Sequence, residues 1–306
     1  MREGNHVVRI DDRLAAFSFA KLRFILQADT DIAMPAYKGS TLHGGFGHAL
    51  QHVSPSYYNY FYHPSEKGAI PKAFVITPPL DTLTHYSKGD TFTTELLLIG
   101  QQAIQSFPIC FAAFEALGRS LGFGINKGRF SIKRVESSDA CGEDRVLFQN
   151  GEWSLAENAV DASQLTKNLN NETTKLTLSL LTRLRLKGDN RLIKEAPSFS
   201  QLLDRILGRI STLATFYQTQ PLLSREERSD LLNQAESISL VNDGTRWDDW
   251  ARFSGRQREW MKFGGLLGDL TYEGELTEFL PYLKLGEWLH VGGKTSFGLG
   301  KYNLSV

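Results

Sequence analysis

The sequence FGLGKYNL, residues 297–304, repeats a pattern that occurs earlier as FGINKGRFSI, residues 123–132. Residues 123–125 match residues 297–299, and residues 128–132 match residues 300–304, with Asn126 and Lys127 inserted in the first copy. Both copies lie between a segment with helical spacing of apolar residues and an alternating segment that predicts a strand. The repetition indicates an internal duplication, so the two halves of the chain are expected to share one fold.

Each half shows the order strand, helix, strand, strand, helix, strand. In the first half the corresponding segments are 14–28, 38–53, 72–79, 90–100, 101–121 and 128–137. In the second half they are 174–188, 198–217, 236–242, 261–274, 276–291 and 300–306. This order predicts an α+β protein of two tandem ferredoxin-like (RRM-like) domains, each with two helices on a four-stranded antiparallel sheet. We expect an N-terminal domain over residues 1–156 and a C-terminal domain over residues 157–306.

Composition indicates a soluble globular protein. Hydrophobic residues make up 41% and charged residues 22% of the chain, with no low-complexity tract. No apolar run is long enough to cross a bilayer and the first residues lack a secretory signal pattern, so we expect a cytoplasmic protein without a membrane partner. Cys110 and Cys141 have neither zinc-site nor disulfide-scaffold spacing. The 34 basic residues equal the 34 acidic ones, so net charge gives no support for a nucleic-acid partner.

The glycine-rich stretch HVGGKTSFGLGKYN, residues 290–303, superficially resembles a phosphate-binding P-loop. A P-loop needs a glycine where this chain has Trp288, and it needs a strand before the loop and a helix after it. Two interpretations stay open. The glycines can let backbone N–H groups approach a ligand beside Lys294 and Lys301, or they can serve only the tight turn into the last strand.

Two longer stretches resemble a known family. GGLLGDLTYEGELTEFLPYLKLGEWLHVGGKTSFGLGKYNL, residues 264–304, closely resembles the C-terminal region of the CRISPR repeat-processing endoribonucleases of the RAMP superfamily. YKGSTLHGGFGHAL, residues 37–50, resembles the first helix of that family, a feature shared with non-cleaving relatives. The resemblance implies tandem ferredoxin-like domains that bind CRISPR repeat RNA and cut the precursor transcript into guide RNAs, without metal or other cofactor.

By the same resemblance, the last loop and the segment before it hold the RNA. The expected RNA-binding residues are Gly292, Gly293, Lys294, Gly298, Gly300, Lys301, Arg252, Arg256, Arg258 and Lys262. Further expected partners are subunits of a CRISPR effector complex, and a homodimer is one expected assembly.

Metal-free RNA cleavage needs a base for the ribose 2′-hydroxyl, an acid for the leaving 5′ oxygen and cations around the phosphate. His43, His48 and His52 are concentrated at the first helix, and the family places a catalytic histidine at or just after its start. Zinc binding by His48 and His52 is disfavoured because no acidic residue follows His48 and no cysteine lies nearby. We predict His43 first and His48 second as the acid or base, with Tyr37 orienting that group and Lys38 stabilising phosphate charge. The alternative for His48 and His52 is a solvated helix surface.

Three glycines in this helix, Gly44, Gly45 and Gly47, indicate either a close approach of another element or a helix that starts only after Gly45. Tryptophans 247, 250 and 260 alternate with arginines and suit base stacking, although packing between the domains is favoured. Three functions remain: an endoribonuclease, a noncatalytic RAMP subunit that binds guide RNA in an effector complex, and a scaffold that has lost RNA binding.

Overall fold

A computed structural model describes residues 10–64, 70–154, 159–167, 169, 172–188, 191–218, 221–254 and 259–306. For residues 10–12, 251–254 and 259–262 only the backbone is described. The predicted boundary between residues 156 and 157 lies outside the described residues. No helix in the described ranges is both long and apolar enough to span a bilayer.

The N-terminal module is built on a sheet whose central strands run in the order β3-β5-β1-β6. Its main elements are β1 (Ser18–Ala28), α2 (Gly39–Val53), β3 (Phe74–Thr77), β5 (Thr91–Ile99), α4 (Gln101–Gln105), α5 (Phe107–Ala116) and β6 (Phe130–Ser138). All these strand pairs are antiparallel. This order is that of a ferredoxin-like sheet, in which the first and third strands of the βαββαβ unit lie at the centre.

The C-terminal module repeats the plan, with strands in the order β13-β17-β10-β18. Its main elements are β10 (Lys175–Leu184), α7 (Phe199–Gln218), β13 (Ser239–Asp243), β17 (Gly265–Glu273), α9 (Leu280–Leu289) and β18 (Tyr302–Ser305). The predicted fold class, tandem ferredoxin-like units with antiparallel sheets, is thereby confirmed.

Shorter elements decorate both modules. In the N-terminal part they are α1 (Ile10–Ala15), β2 (Ile32–Ala33), α3 (Pro55–Tyr62), β4 (His85–Tyr86), β7 (Asp144–Gln149), β8 (Glu152–Trp153), β9 (Val160–Asp161) and α6 (Ala162–Leu165). In the C-terminal part they are β11 (Lys187–Gly188), β12 (Arg191–Leu192), α8 (Arg225–Ala235), β14 (Arg246–Asp248), β15 (Ala251–Ser254) and β16 (Glu259–Lys262). A π-helical turn (Leu117–Leu121) and two 3₁₀ turns (Thr277–Phe279 and Thr295–Phe297) complete them.

Strand β1 contributes to two hydrophobic cores because its side chains alternate between the two faces of the sheet. Leu22, Phe24 and Leu26 pack beneath the helices of the N-terminal module. Phe19 points the other way and joins a core that contains the side chains of the C-terminal module. The face of the first sheet that its own helices leave open is therefore packed against the second module, which fixes how the two modules meet.

The second helix of each module ends in the same unusual backbone conformation. Gly122 ends the helical segment of the N-terminal module with φ 80° and ψ 152°. His290 occupies the equivalent place after α9 with φ 58° and ψ 162°. This region is almost restricted to glycine and costs about 1–3 kcal/mol for other residues. The shared conformation supports the internal duplication, and the histidine must be held by its surroundings.

Those surroundings are polar and buried. The Nδ1 atom of His290 lies 3.2 Å from the carbonyl oxygen of Leu299, and Nε2 lies 3.4 Å from the hydroxyl oxygen of Thr77 in the other module. Burial, together with nearby lysine and arginine charges, holds the pKa of His290 well below its ordinary value of 6.5. The imidazole is thus neutral in the folded protein.

This burial predicts a specific loss of stability in acid. Below pH 6.5 the unfolded chain protonates His290 whereas the folded protein does not, so protons favour unfolding. We expect His290 to cost up to about 1.4 kcal/mol of unfolding free energy for each pH unit below that value. Urea unfolding between pH 7 and pH 5 measures the slope, with His290→Gln as the variant that lacks the titrating group. Parallel pH profiles for the two proteins would contradict the assignment.

Candidate functional site

Helix α2 begins at Gly39, directly after Lys38, and positions His43 in its second turn. Leu42, Phe46 and Leu50 recur at helical spacing and anchor the helix in the N-terminal core. The interpretation that the helix starts only after Gly45 is wrong. Close approach explains two of its glycines, since a Cβ at position 45 would meet the Leu117 side chain at 3.1 Å. At position 47 it would meet the Tyr62 ring at 2.7 Å.

The imidazole of His43 lies between the N-terminal module and the glycine-rich loop. It is 7% exposed. Its ring stacks on the ring of Phe297, with centroids 3.8 Å apart and planes 13° from parallel. Within its own module its ring centroid lies 4.9 Å from that of Tyr62 and 5.8 Å from that of Phe74. The two sequence signatures, separated by about 250 residues, therefore meet at His43.

Tyr37 makes a second contact to the same loop residue. Its hydroxyl donates a hydrogen bond to the carbonyl oxygen of Phe297 at 2.7 Å. The ring centroids of Tyr37 and Trp250 lie 5.1 Å apart in an edge-to-face arrangement. Burial raises the pKa of the Tyr37 hydroxyl well above its usual range, so the group stays protonated. Tyr37 therefore acts as a clamp on the loop, and its predicted role in orienting the catalytic group stays a prediction.

Arg183 of strand β10 lies beside this clamp. Its guanidinium carbon lies 5.3 Å from the ring centroid of Tyr37 and 5.4 Å from that of Trp250, and Nη2 forms an ion pair with Asp248 at 2.5 Å. Cations over aromatic faces are attracted by the ring quadrupole. Arg183 thus brings positive charge to the junction of the modules and connects the loop to strand β14.

Lys294 brings a second positive charge. Its backbone is left-handed, with φ 63°, and its ammonium lies 4.5 Å from the ring centroid of Phe263 and 5.8 Å from that of Phe297. The charge is close to the stacked pair of Phe297 and His43.

Contacts within the protein account for the glycines of the loop. The N–H groups of Gly293, Gly298 and Gly300 donate to the carbonyl oxygens of Arg185, Thr295 and Arg183. Gly298 has φ 85°, and a Cβ there would meet the Ile76 carbonyl oxygen at 2.6 Å. Gly292 has φ 86° and packs equally closely on Arg185. These contacts support the interpretation of a tight turn into the last strand, while RNA binding by the loop stays a prediction that depends mainly on Lys294.

Two of the predicted lysines are engaged elsewhere. Lys38 is fully buried, and its ammonium donates to the carbonyl oxygen of Asp81 at 2.8 Å and to its carboxylate at 3.0 Å. Lys301 forms an ion pair with Glu95 of the other module at 2.7 Å. Both ammonium groups therefore stabilise the fold in this structure, and neither is directed at His43.

His48 and His52 lie apart from this junction. Both are exposed, and His48 is rotated by about 140° around the helix axis from His43. The solvated-surface interpretation describes both. Of the predicted arginine-rich segment, Arg252 and Lys262 lie on the hairpin β15–β16, of which only the backbone is described. Arg256 and Arg258 lie outside the described residues, so their RNA-binding roles stay predictions.

Three residues of the junction were not selected from the sequence: Phe297, Arg183 and Trp250. Phe297 is the first residue of the repeated pattern, and Arg183 lies in a basic, alternating strand. Trp250 was expected to pack between the domains, which it does against Tyr37. Sequence alone gives no sign that these side chains share a site, because they come from separate elements.

Within the described ranges, no group of three or more histidine, cysteine, aspartate or glutamate side chains is arranged to hold a metal ion. Cys110 is buried and Cys141 exposed, and both are free thiols.

Family models match most of the chain in two parts. Residues 178–302 match the family of the CRISPR-associated endoribonuclease Cas6. Residues 17–160 match a model described as the AF_1859 N-terminal domain. No curated protein sequence matches the chain.

Solved structures share the fold over almost the whole chain at low sequence identity. A Cas6 product complex is 18% identical with a TM-score of 0.62, covering 94% of this chain and 100% of that chain. Thermus thermophilus Cas6 is 16% identical with a TM-score of 0.61, covering 95% and 100%. A RAMP protein that binds different RNA substrates is 12% identical with a TM-score of 0.51, covering 94% and 100%.

The chain therefore shares its fold of two tandem ferredoxin-like modules with solved structures of Cas6 proteins and of a RAMP protein. Within that fold, the C-terminal module is the part of the chain that the model of the CRISPR-associated endoribonuclease Cas6 family matches.

The Tyr37 clamp can be tested through stability. We expect Tyr37→Phe to lower the free energy of unfolding by about 0.5–1.5 kcal/mol, because the part-buried Phe297 carbonyl oxygen loses its hydrogen-bond donor. Urea unfolding measures the change. Tyr57→Phe is the matched control, since the half-buried Tyr57 hydroxyl makes no hydrogen bond within the described residues. Equal stability of the two variants would show that the clamp contributes nothing.

Proposed function

We propose that this protein cuts CRISPR precursor RNA within its repeats to give guide RNAs, and that His43 performs proton transfer at the cut. One observation carries the proposal: His43 of the family's first helix stacks on Phe297 of the family's glycine-rich loop. The proposal includes the division into an N-terminal domain, residues 1–156, that carries His43 and a C-terminal domain, residues 157–306, that carries the loop.

The proposed reaction needs no metal. The ribose 2′-oxygen attacks the adjacent phosphorus while the bond from phosphorus to the 5′ oxygen breaks. The products are a 2′,3′-cyclic phosphate and a 5′-hydroxyl. One proton leaves the 2′-hydroxyl and one reaches the leaving 5′ oxygen. His43 acts as the base or as the acid, since an imidazole has an unperturbed pKa of about 6.5 and suits either role.

Positive charge at the junction supports the same reaction. Lys294 lies near the stacked rings and can stabilise the extra negative charge of the phosphorane. Arg183 adds to the potential, although Asp248 neutralises part of its charge. Tyr37 holds the Phe297 backbone in place and transfers no proton, because its hydroxyl donates to a carbonyl and is held protonated.

The proposal requires that RNA can reach the buried side chain of His43. Only 7% of the residue is exposed and one ring face is covered by Phe297. RNA binding must therefore move the Phe297 side chain aside. The same burial favours the second candidate, a noncatalytic RAMP subunit that binds guide RNA. Assembly with other CRISPR-associated proteins and formation of a homodimer stay predictions.

Substitution of the two histidines separates the candidates. We expect His43→Gln to lower single-turnover cleavage of the host's repeat RNA by about 100-fold or more, the scale of a missing general acid or base. RNA affinity should change little. His48→Gln, on the exposed side of the same helix, is the matched control and should cut like the unchanged protein. Cleavage by His43→Gln at the normal rate would remove His43 from the mechanism.

The chemistry is tested by chelation and product analysis. In excess EDTA we expect cleavage at one position in the repeat, because the 2′-hydroxyl is the nucleophile and protein side chains move the protons. Mass spectrometry of the 5′ fragment should show a terminal 2′,3′-cyclic phosphate. Fragments that end in a 3′-hydroxyl, or cleavage only with added Mg²⁺, would contradict the reaction. Binding without cleavage would select the noncatalytic subunit.

A further inference from the structure

A groove of about 650 Å³ lies between helix α7, helix α8, the hairpin β11–β12 and the loop Gly292–Lys294. We call it the α7 groove. Six cationic side chains line it: Arg185, Lys187, Arg205, Arg209, Arg228 and Lys294. Asp204 is its one acidic lining residue within the described ranges. The groove therefore concentrates positive charge in a protein whose net charge is zero.

Asp204 is already shared by two of the arginines. Its carboxylate lies 2.6 Å from Nη2 of Arg228 and 3.7 Å from Nε of Arg205. The remaining cations of the groove are not balanced by this group.

Arg209 and Arg185 are the groove cations whose positive charge is least neutralised by nearby groups. The Nε atom of Arg209 donates to the carbonyl oxygen of Leu289 at 2.8 Å, and Nη1 of Arg185 donates to the carbonyl oxygen of Gly264. Among the described residues, neither guanidinium has a carboxylate within ion-pair distance. Burial lowers the pKa of both groups, that of Arg209 to about 10. Because a desolvated cation without an anion is costly, the groove is suited to an anionic ligand.

One lining residue of the groove, Lys294, also lies beside the candidate cleavage site. Lys294 lines the groove, and its ammonium lies 5.8 Å from the ring of Phe297, which in turn stacks on His43. A strand with its cut phosphate at His43 could therefore continue past Lys294 into the groove. Guanidinium groups bind phosphate oxygens through paired hydrogen bonds, irrespective of the base.

We propose that the α7 groove binds backbone phosphates of the RNA strand on one side of the cut and so positions the transcript. The proposal rests on the proposed function, because it takes RNA as the substrate. It adds a binding surface, formed by Arg209, Arg205, Arg185 and Lys187, that extends beyond the glycine-rich loop.

RNA affinity at several salt concentrations tests the proposal. Two variants are used: Arg209→Gln, and the double variant Lys187→Gln/Arg205→Gln, which changes only exposed side chains and should fold normally. We expect each to weaken binding of the host's repeat RNA by about tenfold at moderate salt. The slope of log affinity against log salt should become less negative by about 0.7 for each phosphate that the variant no longer neutralises. Arg119→Gln changes an exposed arginine of the N-terminal module; it is the charge-matched control for Arg209→Gln and should leave affinity and slope unchanged.

Shortened RNAs locate the binding surface along the strand. The affinity difference between the double variant and the unchanged protein should disappear when nucleotides are removed from one side of the cut, and persist when they are removed from the other. If the double variant has the affinity and slope of Arg119→Gln, the groove does not bind RNA and the proposal is overturned. Binding of poly-glutamate that depends on Arg209, without an effect on RNA, would also overturn it in favour of an acidic protein partner.

These outcomes are independent of cleavage. Failure of the proposed function would appear as RNA that binds but stays intact. The affinity of the variants and its salt dependence would still show whether the α7 groove binds RNA. Failure of the groove proposal would appear as unchanged affinity in a protein that still cuts.

Discussion

The clamp on Phe297 is the contact on which the rest of the site depends. The carbonyl oxygen of Phe297 accepts a hydrogen bond from the Tyr37 hydroxyl, and the Phe297 ring stacks on the imidazole of His43. A hydrogen bond and a ring stack act in different directions, so together they fix both the position and the tilt of the loop against α2. The tight turns of Gly298 and Gly300 then follow, because the loop must pass close to Ile76 and Val291 to reach strand β18. The same contact buries His43, which makes movement of one aromatic ring a condition of any chemistry there.

Charge is arranged around this clamp unevenly. Lys38, Lys301 and Arg183 are paired with Asp81, Glu95 and Asp248, and their charges contribute mainly to the fold. Arg185 and Arg209 have only carbonyl partners within the described residues and are partly buried. A protein with equal numbers of acidic and basic residues can thus present a locally positive path. The net charge of the protein says little about whether it binds RNA, because a bound RNA strand responds to the electrostatic potential of the surface that it contacts.

The duplication also shows where the two modules have diverged. Gly122 and His290 hold the same backbone conformation, and only the glycine adopts it without strain. In the C-terminal module, contacts to Thr77 and Leu299 hold the histidine in place across the boundary between the modules. The N-terminal module therefore helps to hold the strained backbone of His290 in the C-terminal module. The two sheets also share a core through Phe19, so neither module would keep its buried surface if it were separated from its neighbour.

The sequence by itself determined the class of fold, since alternation, helical spacing and the repeated FG pattern depend only on neighbours along the chain. It also pointed to His43, the glycine-rich loop and Tyr37 through the family resemblance. It did not distinguish Lys38 and Lys301 from cations available to a phosphate, because their carboxylate partners lie more than 40 and 200 residues away. Nor could it show that Phe297, Trp250 and Arg183 meet at His43, or that α7 and the hairpin β11–β12 enclose a groove. Only the tertiary structure decided these points, because burial and pairing are set by contacts between elements that are distant in the chain.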